Sequence, residues 1–479
     1  MSVGVAGRLQ SKRAIGGRRS LKATAPLRPK ASANAWLGMA MWLLLWLGYN
    51  TDLSHVMDPS FPRNAMDFIH GVRAFFPELT AWFACLLILT RSSRLFFWLI
   101  GPLGLIIFYS LTGLVSSATL SINPAEALYF GANYLAIVLV LLAIVLVEDP
   151  LPDLLKVLRC TWGIGTVLTL GLLGAVPFLG SQVIIPTEAS PIGVRAYSGV
   201  GTVMGMASSR NTGFARYAAV SGLAVLPGVM RRGNRAVRIM CGALLVASLY
   251  ALVLANGRTE TAAFIAGVVI ILAAEKARRF VYFLAGIAAA ILAGFQGFYS
   301  GFFLYLTRTG HVDLTMTGRT TIWEAGWRLL WTSPWVGSGF QADRFYMGGL
   351  HMHNAFLHVL VQAGFVGGIP IIMGLAIVWY YTIYYFFICQ PPDKSLIPPE
   401  IPAILLFTTL SSLTESTFAY YSAAWLLSAP IVGYVMALHR RMVRVSRSTA
   451  QVRAARNRLA RSGSRNLSTS PQVPKSIMG

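Results

Sequence analysis

The sequence predicts an all-α, polytopic transmembrane helical bundle of about twelve spans, with one large loop between spans 9 and 10. Three observations carry this expectation. Hydrophobic residues make up 55% of the chain and charged residues only 12%, a balance too apolar for a soluble domain. Mainly apolar windows of roughly 17–25 residues, the length a helix needs to cross hydrocarbon, recur along the whole chain. The lysines and arginines cluster in alternate loops, the asymmetry that orients membrane helices.

The apolar windows fall near 34–50, 66–90, 95–115, 124–147, 160–180, 213–229, 237–254, 259–274, 280–300, 354–378, 400–418 and 422–438. The first follows a basic stretch that is too long for a signal peptide and lacks a small-residue cleavage site, so it reads as an uncleaved signal-anchor. Residues 51–65 join the first two spans. Residues 181–212 form a Gly/Ser/Pro-rich connection ending in Ser209-Arg210-Asn211-Thr212-Gly213. Residues 301–353 form the longest loop, and loops of such length inside a compact fold commonly serve function. From Thr320 to Trp331 that loop places Ile322, Trp323, Gly326, Trp327, Leu330 and Trp331 at helical spacing. This pattern predicts an amphipathic helix at the membrane interface, with its tryptophans at headgroup level. Ser333-Pro334 ends it, and Gly337-Ser338-Gly339 reads as a flexible turn. His351-Met352-His353-Asn354 then runs into the tenth span, with Asn354 as its N-cap. Gly364, Gly367 and Gly368 within that span would let a neighbouring helix approach closely.

The net charge of +23 would suggest nucleic acid in a soluble protein, but its distribution points elsewhere. Residues 1–30 carry eight Lys/Arg and residues 440–479 carry ten, with no acid in either stretch. Together with Arg91/Arg94, Lys156/Arg159, Arg231/Arg232/Arg235/Arg238, Lys276/Arg278/Arg279 and Lys394, they lie on one side of the spans. That is the positive-inside pattern and it puts both termini in the cytoplasm. Basic tails of this kind have affinity for anionic lipid of the bilayer, and no nucleic acid partner is expected. The expected organisation is a basic cytoplasmic tail over 1–33, a transmembrane domain over 34–438 that includes a periplasmic loop at 301–353, and a disordered basic cytoplasmic tail over 439–479. Cys85, Cys160, Cys241 and Cys389 have no metal-ligand spacing and suggest no disulfide framework.

The outer face keeps arginine as its only cation, and a guanidinium binds phosphate through a planar fork. Arg258, in Asn256-Gly257-Arg258-Thr259-Glu260, either pairs with Glu260 across a turn or binds phosphate at the start of the eighth span. Arg210 and Arg216 flank the start of the sixth, six residues apart and therefore on different sides of a helix, so at most one of them faces a site shared with Arg258. His353, at a helix mouth where free N–H groups favour an anion, is placed to act as a general base. His351 and His358 read as interfacial side chains with polar tips. No metal site is expected, because Asp343 lies eight residues from His351 and no other carboxylate or thiol has useful spacing.

The arrangement Gly318-Arg319-x-x-x-Trp323, Pro334-x-x-Gly337-x-Gly339, His353-Asn354-x-x-Leu357 and Gly364-x-x-Gly367 resembles the O-antigen ligase and polymerase superfamily. The resemblance implies a bacterial inner-membrane glycosyltransferase of the membrane-embedded type. Its donor would be an undecaprenyl-diphosphate-linked glycan and its acceptor a second glycan, with a flippase and a chain-length regulator as further partners. It also implies arginines that hold the diphosphate, at positions matching Arg210, Arg258 and Arg319, with Arg195 and Arg216 competing for the role of Arg210. It implies a catalytic histidine at His353, assisted by Arg319, and no metal or cofactor. The Pro-Asn pair that often follows the family's Arg-x-x-Gly segment is replaced here by Ala215-Arg216. The chain has no Walker or Rossmann glycine pattern, in keeping with a cofactor-free reaction.

Within the superfamily the polymerase is preferred and the ligase, which transfers glycan to lipid A-core, is the alternative. A secondary transporter is a third class. Against it stand the absence of a charged residue in mid-span and of a symmetric pair of Gly/Pro-broken helices. The topology is directly testable. Reporter fusions after Arg279 should read cytoplasmic and fusions near Gly310 periplasmic; the reverse at either position would remove Arg319 and His353 from the compartment the site requires.

Overall fold

The computed structural model describes residues 33–49, 60–62, 65–91, 95–179, 184–185, 209–231, 233–255, 257–274, 319–389, 391 and 393–467. The span expected at 280–300, the first part of the long loop, the amino-terminal tail and Arg195 lie outside the described residues.

Helices dominate. They are α1 (Ala33–Gly48), α2 (Ala65–Ala74), α3 (Phe76–Thr90), α4 (Leu95–Leu99), α5 (Pro102–Leu120), α6 (Pro124–Val145), α7 (Leu151–Leu179) and α8 (Asn211–Met230). They continue with α9 (Arg235–Ala255), α10 (Arg258–Ala274), α11 (Arg319–Thr332), α12 (Ala342–Tyr346), α13 (Ala355–Ile383), α14 (Glu400–Ser411) and α15 (Ala423–Leu467). A two-residue parallel pairing of Ile184–Ile185 with Ser209–Arg210 precedes α8. Seven described helical stretches are long and apolar enough to cross a membrane, and α1 and α14 are shorter apolar helices. The protein is a multi-pass membrane bundle, and each expected window outside 280–300 contains a described helix, although α14 ends at Ser411, seven residues short of the end of its expected window.

Three details differ from the sequence reading. Helix α7 begins at Leu151, well ahead of the apolar window, because Leu151, Leu154, Val157 and Leu158 already form a buried stripe at helical spacing. Helix α15 continues through the basic stretch to Leu467, where a disordered tail was expected. Near its membrane end the Arg440 guanidinium lies over the Trp98 ring, 3.6 Å from the centroid. Finally, Glu78 does stand midway along the second span, Asp67–Thr90. That span is broken between α2 and α3 with Pro77 in the new first turn, so Glu78 faces the free N–H groups of a helix start.

The core runs through α1, α6, α8 and α15, with Trp42, Tyr134, Phe214 and Trp425 fully buried. Into it the long loop inserts Phe340. Its ring lies 5.7 Å from both Tyr109 of α5 and Tyr134 of α6. Gly113 and Gly131 make the slot, since a Cβ on either would come within 2.7 Å of that ring.

Helix α13 packs along α5 and is broken at Gly364, whose φ is +62°. The break is filled by the loop. Ser338 N–H donates to Val361 C=O (2.8 Å) and Gly339 N–H to Gln362 C=O (2.9 Å). In return Phe365 N–H donates to Pro334 C=O (2.7 Å) and Val366 N–H to Trp335 C=O (3.0 Å). Two carbonyls and two N–H groups at the kink are thereby paired across the contact. Gly337-Ser338-Gly339 is consequently a pinned turn with Ser338 buried, not a flexible one. Gly367 does admit a neighbouring helix, for a Cβ there would meet Thr112 of α5. Gly364 and Gly368 do not; the first receives the loop backbone and the second packs against Leu360 of its own helix.

A Cβ at Gly364 would lie 2.2 Å from the Trp335 carbonyl, on a backbone that L residues avoid. Gly364→Ala should cost at least ~1–3 kcal/mol and lower the thermal midpoint of the detergent-solubilised protein by several degrees. Gly171→Ala in α7, where a Cβ meets nothing within 4 Å, should leave it unchanged.

Candidate active site

Three segments converge on the loop face of the bundle: the first turn of α11, the residues leading into α13, and the connection between α14 and α15. Trp323 of α11 donates its indole N–H to Met352 C=O (3.0 Å). Ala355 N–H donates to Ser412 C=O (2.9 Å), and the Asn354 side chain donates to Leu413 C=O (3.3 Å). The Asn354 side chain also accepts from Leu357 N–H (3.0 Å), the expected N-cap.

His353 is caught between these anchors with a φ of +50°, in the left-handed region. That conformation is uncommon for a residue with a Cβ, and it persists where the surroundings over-determine it, as at functional sites. Here Met352 is fixed on one side, donating its N–H to Asp343 Oδ2 (3.0 Å), and the capped Asn354 on the other. The result turns the imidazole toward Glu415, with Nδ1 3.1 Å from Oε2.

Glu415 is the centre of the site, and the sequence reading did not single it out. It is buried, and Arg216 (Nη2 to Oε2, 2.8 Å) and Arg319 (Nη2 to Oε1, 3.2 Å) join His353 on it. Burial alone would raise the Glu415 carboxyl; Arg216, His353 and Arg319 outweigh it and hold the group below the usual carboxylate range. Arg216 also faces Glu260 of α10 (Nε to Oε1, 3.6 Å), so Glu260 is turned into the cluster. Of the predicted residues, Arg216, Arg319 and His353 are therefore brought together. Arg258 opens α10, two residues before Glu260, and is partly buried. Arg210 is placed only by its backbone, in register with Ile185; its side chain lies outside the described residues. Of the Arg210 and Arg216 pair, Arg216 is the one seen in the cluster.

A second carboxylate corrects the reading of the other histidines. His351 and His358 are buried, not interfacial, because α12 folds Asp343 back between them. His351 Nδ1 lies 3.0 Å from Asp343 Oδ2, and His358 Nε2 lies 3.1 Å from Oδ1. These three residues bring ligand-type atoms within 4.8 Å of one another, which the eight-residue separation in sequence had concealed. Burial pushes the His351 imidazole down to about 4, so it is neutral near pH 7. Burial opposes ionisation of Asp343, yet His358 and His351 hold its carboxyl well below the ordinary range. His351 and His353 are each turned to a different carboxylate, and the histidine that shares Asp343 with His351 is His358.

Residues 243–372 match the O-antigen ligase family. Over 175 residues, 32% of this chain, the sequence is 28% identical to the exopolysaccharide production protein ExoQ of Rhizobium meliloti (strain 1021). The match spans 40% of that relative's length. The two comparisons support the superfamily resemblance carried by the sequence motifs. The family match takes in Arg258, Arg319, Asp343 and His353, while Arg216 and Glu415 lie outside it.

Removing the shared carboxylate should be costly. Glu415→Gln takes the counter-charge from Arg319 and leaves Arg216 only its longer contact to Glu260, a loss of up to about 3–5 kcal/mol. Its folded-state ionisation is depressed, so the stabilisation is present above the unfolded value, about 4.3, and is lost only as pH falls through the lower folded value. The melting difference between wild type and Glu415→Gln should therefore be full at neutral pH and shrink only below about pH 4.

Proposed function

We propose that this chain is a membrane glycosyltransferase that polymerises undecaprenyl-diphosphate-linked repeat units into O-antigen or exopolysaccharide at the periplasmic face of the bacterial inner membrane. The observation that carries the reading is the Glu415 centre, which joins a strained histidine to two arginines within reach of a third arginine-bearing helix start. With Arg258 of the α10 start added to Arg216 and Arg319, the arginines of this face would outnumber Glu260 and Glu415 by one, a balance suited to an anionic ligand.

The chemistry follows from the parts. An ionised Glu415 accepts the Nδ1 proton of His353, which leaves Nε2 as the basic nitrogen. Nε2 takes the proton of the acceptor hydroxyl as the new glycosidic C–O bond forms. The C–O bond to the diphosphate breaks, and its electron pair goes to the departing phosphate oxygen. Arginines fixed around that oxygen stabilise the charge as it develops, and their forks are held ready by the carboxylates. No step calls on a metal or cofactor. A donor delivered by a flippase and a product measured by a chain-length regulator fit this placement.

The similarity to an exopolysaccharide production protein favours the polymerase. The name of the matched family favours the second reading, a ligase that transfers the finished glycan to lipid A-core. Loss of a general base commonly costs about 10²–10⁴-fold, so His353→Ala should abolish visible polymer in cells while the protein still inserts. Arg258→Lys keeps the charge but loses the bidentate fork, and should also cripple transfer. Normal glycan ladders from His353→Ala would remove the base assignment. Intact ladders with unglycosylated lipid A-core in the same strain would move the function to the ligase.

A further inference from the structure

Asp343 is the second buried anion of this face, and it is compensated differently from Glu415. Glu415 meets two guanidinium groups. Asp343 is fully buried, yet its ion-pair contacts among the described residues are two imidazoles, with no arginine or lysine. Each carboxylate oxygen faces one ring: His351 Nδ1 lies 3.0 Å from Oδ2, and His358 Nε2 lies 3.1 Å from Oδ1. The Oδ2 side is well satisfied, because Met352 N–H also donates to it at 3.0 Å. The Oδ1 side is not. That oxygen has no hydrogen-bond partner among the described residues, although His358 Nε2 is near enough to be one. The two atoms stand at contact distance without the alignment a hydrogen bond needs.

Donor atoms placed in this way suit a shared ion better than a shared proton. Bonds of about 2.0–2.2 Å from imidazole nitrogen and carboxylate oxygen to zinc set neighbouring ligand atoms roughly 3 Å apart. Both nitrogen–oxygen separations have that length, and one ligand atom from each of the three residues falls within 4.8 Å of the others. An ion seated against the carboxylate would lie off the Nε2–Oδ1 line and would give Oδ1 the partner it lacks. Burial also keeps the His351 imidazole neutral near pH 7, the state a metal ligand needs.

A fourth donor stands beside these three. The Tyr109 hydroxyl has one proton and two neighbours, Ala419 C=O at 2.8 Å and the Gln362 amide at 2.5 Å. The carbonyl can only accept, so it takes the proton, and the amide turns its N–H toward Tyr109. The amide atom 2.6 Å from His358 Nε2 is then oxygen.

We propose that Asp343, His351 and His358, completed by the Gln362 amide oxygen, form a structural site for a divalent metal ion of the zinc class. Two imidazoles beside oxygen donors suit zinc, whereas calcium and magnesium take oxygen ligands. All four residues are buried, as the ligands of a closed structural site are, so the ion is a tie and not a reactant. It joins α12 of the long loop to α13 and to the segment that carries His353. The His351 ring stands edge to face with that of His353, their centroids 4.8 Å apart. The site would hold its ion whatever reaction the Glu415 centre performs.

The test is elemental analysis of the full-length protein, produced with zinc in the medium and purified in detergent without chelator or a polyhistidine tag. Wild type should carry close to one zinc per chain, and Asp343→Asn and His358→Gln less than about a tenth of that. His353→Ala should keep its zinc, since that imidazole faces Glu415. Chelator should lower the wild-type thermal midpoint by several degrees and leave that of His358→Gln unmoved, and added zinc should restore the wild type. Wild type free of zinc after this preparation would overturn the proposal even if neither ligand variant folds, and would leave His358 Nε2 protonated toward Gln362. Zinc retained in folded Asp343→Asn and His358→Gln would overturn it as well, because the ion would then sit elsewhere, and so would its loss in His353→Ala.

Discussion

One buried carboxylate organises this molecule's loop face. A desolvated Glu415 is tolerable only while cations surround it, and its partners come from α8, the start of α11 and the mouth of α13. Each partner is itself costly to bury without Glu415. The dependence is mutual, so the segments are registered against each other far more tightly than apolar contact would achieve. The turn that carries Glu415 is fixed in its own right. Thr417 N–H donates to Glu415 C=O (3.0 Å), Ser412 and Thr417 share a hydroxyl contact, and Tyr421 donates its hydroxyl to Leu45 C=O of α1. The charge centre is thereby tied back to the first helix of the bundle.

The long loop reaches the same centre by a different kind of interaction. Phe340 fills a glycine-lined slot between α5 and α6, and the Pro334–Gly339 backbone completes the broken helix α13. Three residues after Phe340 comes Asp343, and its position between His351 and His358 follows from that anchor. Apolar insertion thus sets the place of a carboxylate, and the carboxylate sets the tautomers of two imidazoles. A shift of the wedge would be felt as a change in protonation, not only in packing.

The sequence revealed what is local. Apolar windows, the Arg319–Thr332 helix, the Asn354 cap and the stop at Ser333-Pro334 are decided by spacing and capping within a few residues, and they stand where expected. Arg319 and His353 are legible as candidates because motif and helix-start position coincide in them, and both meet Glu415. What escaped was long-range. Glu415 lies 62 residues from His353 and 96 from Arg319, in a short turn without any motif of its own. A signal was available, since an acid on a face otherwise supplied with arginines is a natural partner for them. Asp343 was seen but dismissed by counting eight residues along an extended chain, whereas α12 and the glycines at 348 and 349, with φ of +64° and +84°, fold that distance away. In sequence Gly364 reads as a packing glycine, because its spacing with Gly367 suits both roles; only the loop that docks on it reveals a backbone break.

On the proposed reading, glycan transfer from a diphosphate makes two demands that the Glu415 centre has to reconcile. Expelling a diphosphate calls for concentrated positive charge, yet cations close to a base make that base harder to protonate. Glu415 mediates the conflict by holding the arginines beside His353 while giving its imidazole an acceptor. Its negative charge is divided among three partners. On the proposed reading, one shared buried anion lets the centre be cationic for the diphosphate while orienting the imidazole toward the acceptor.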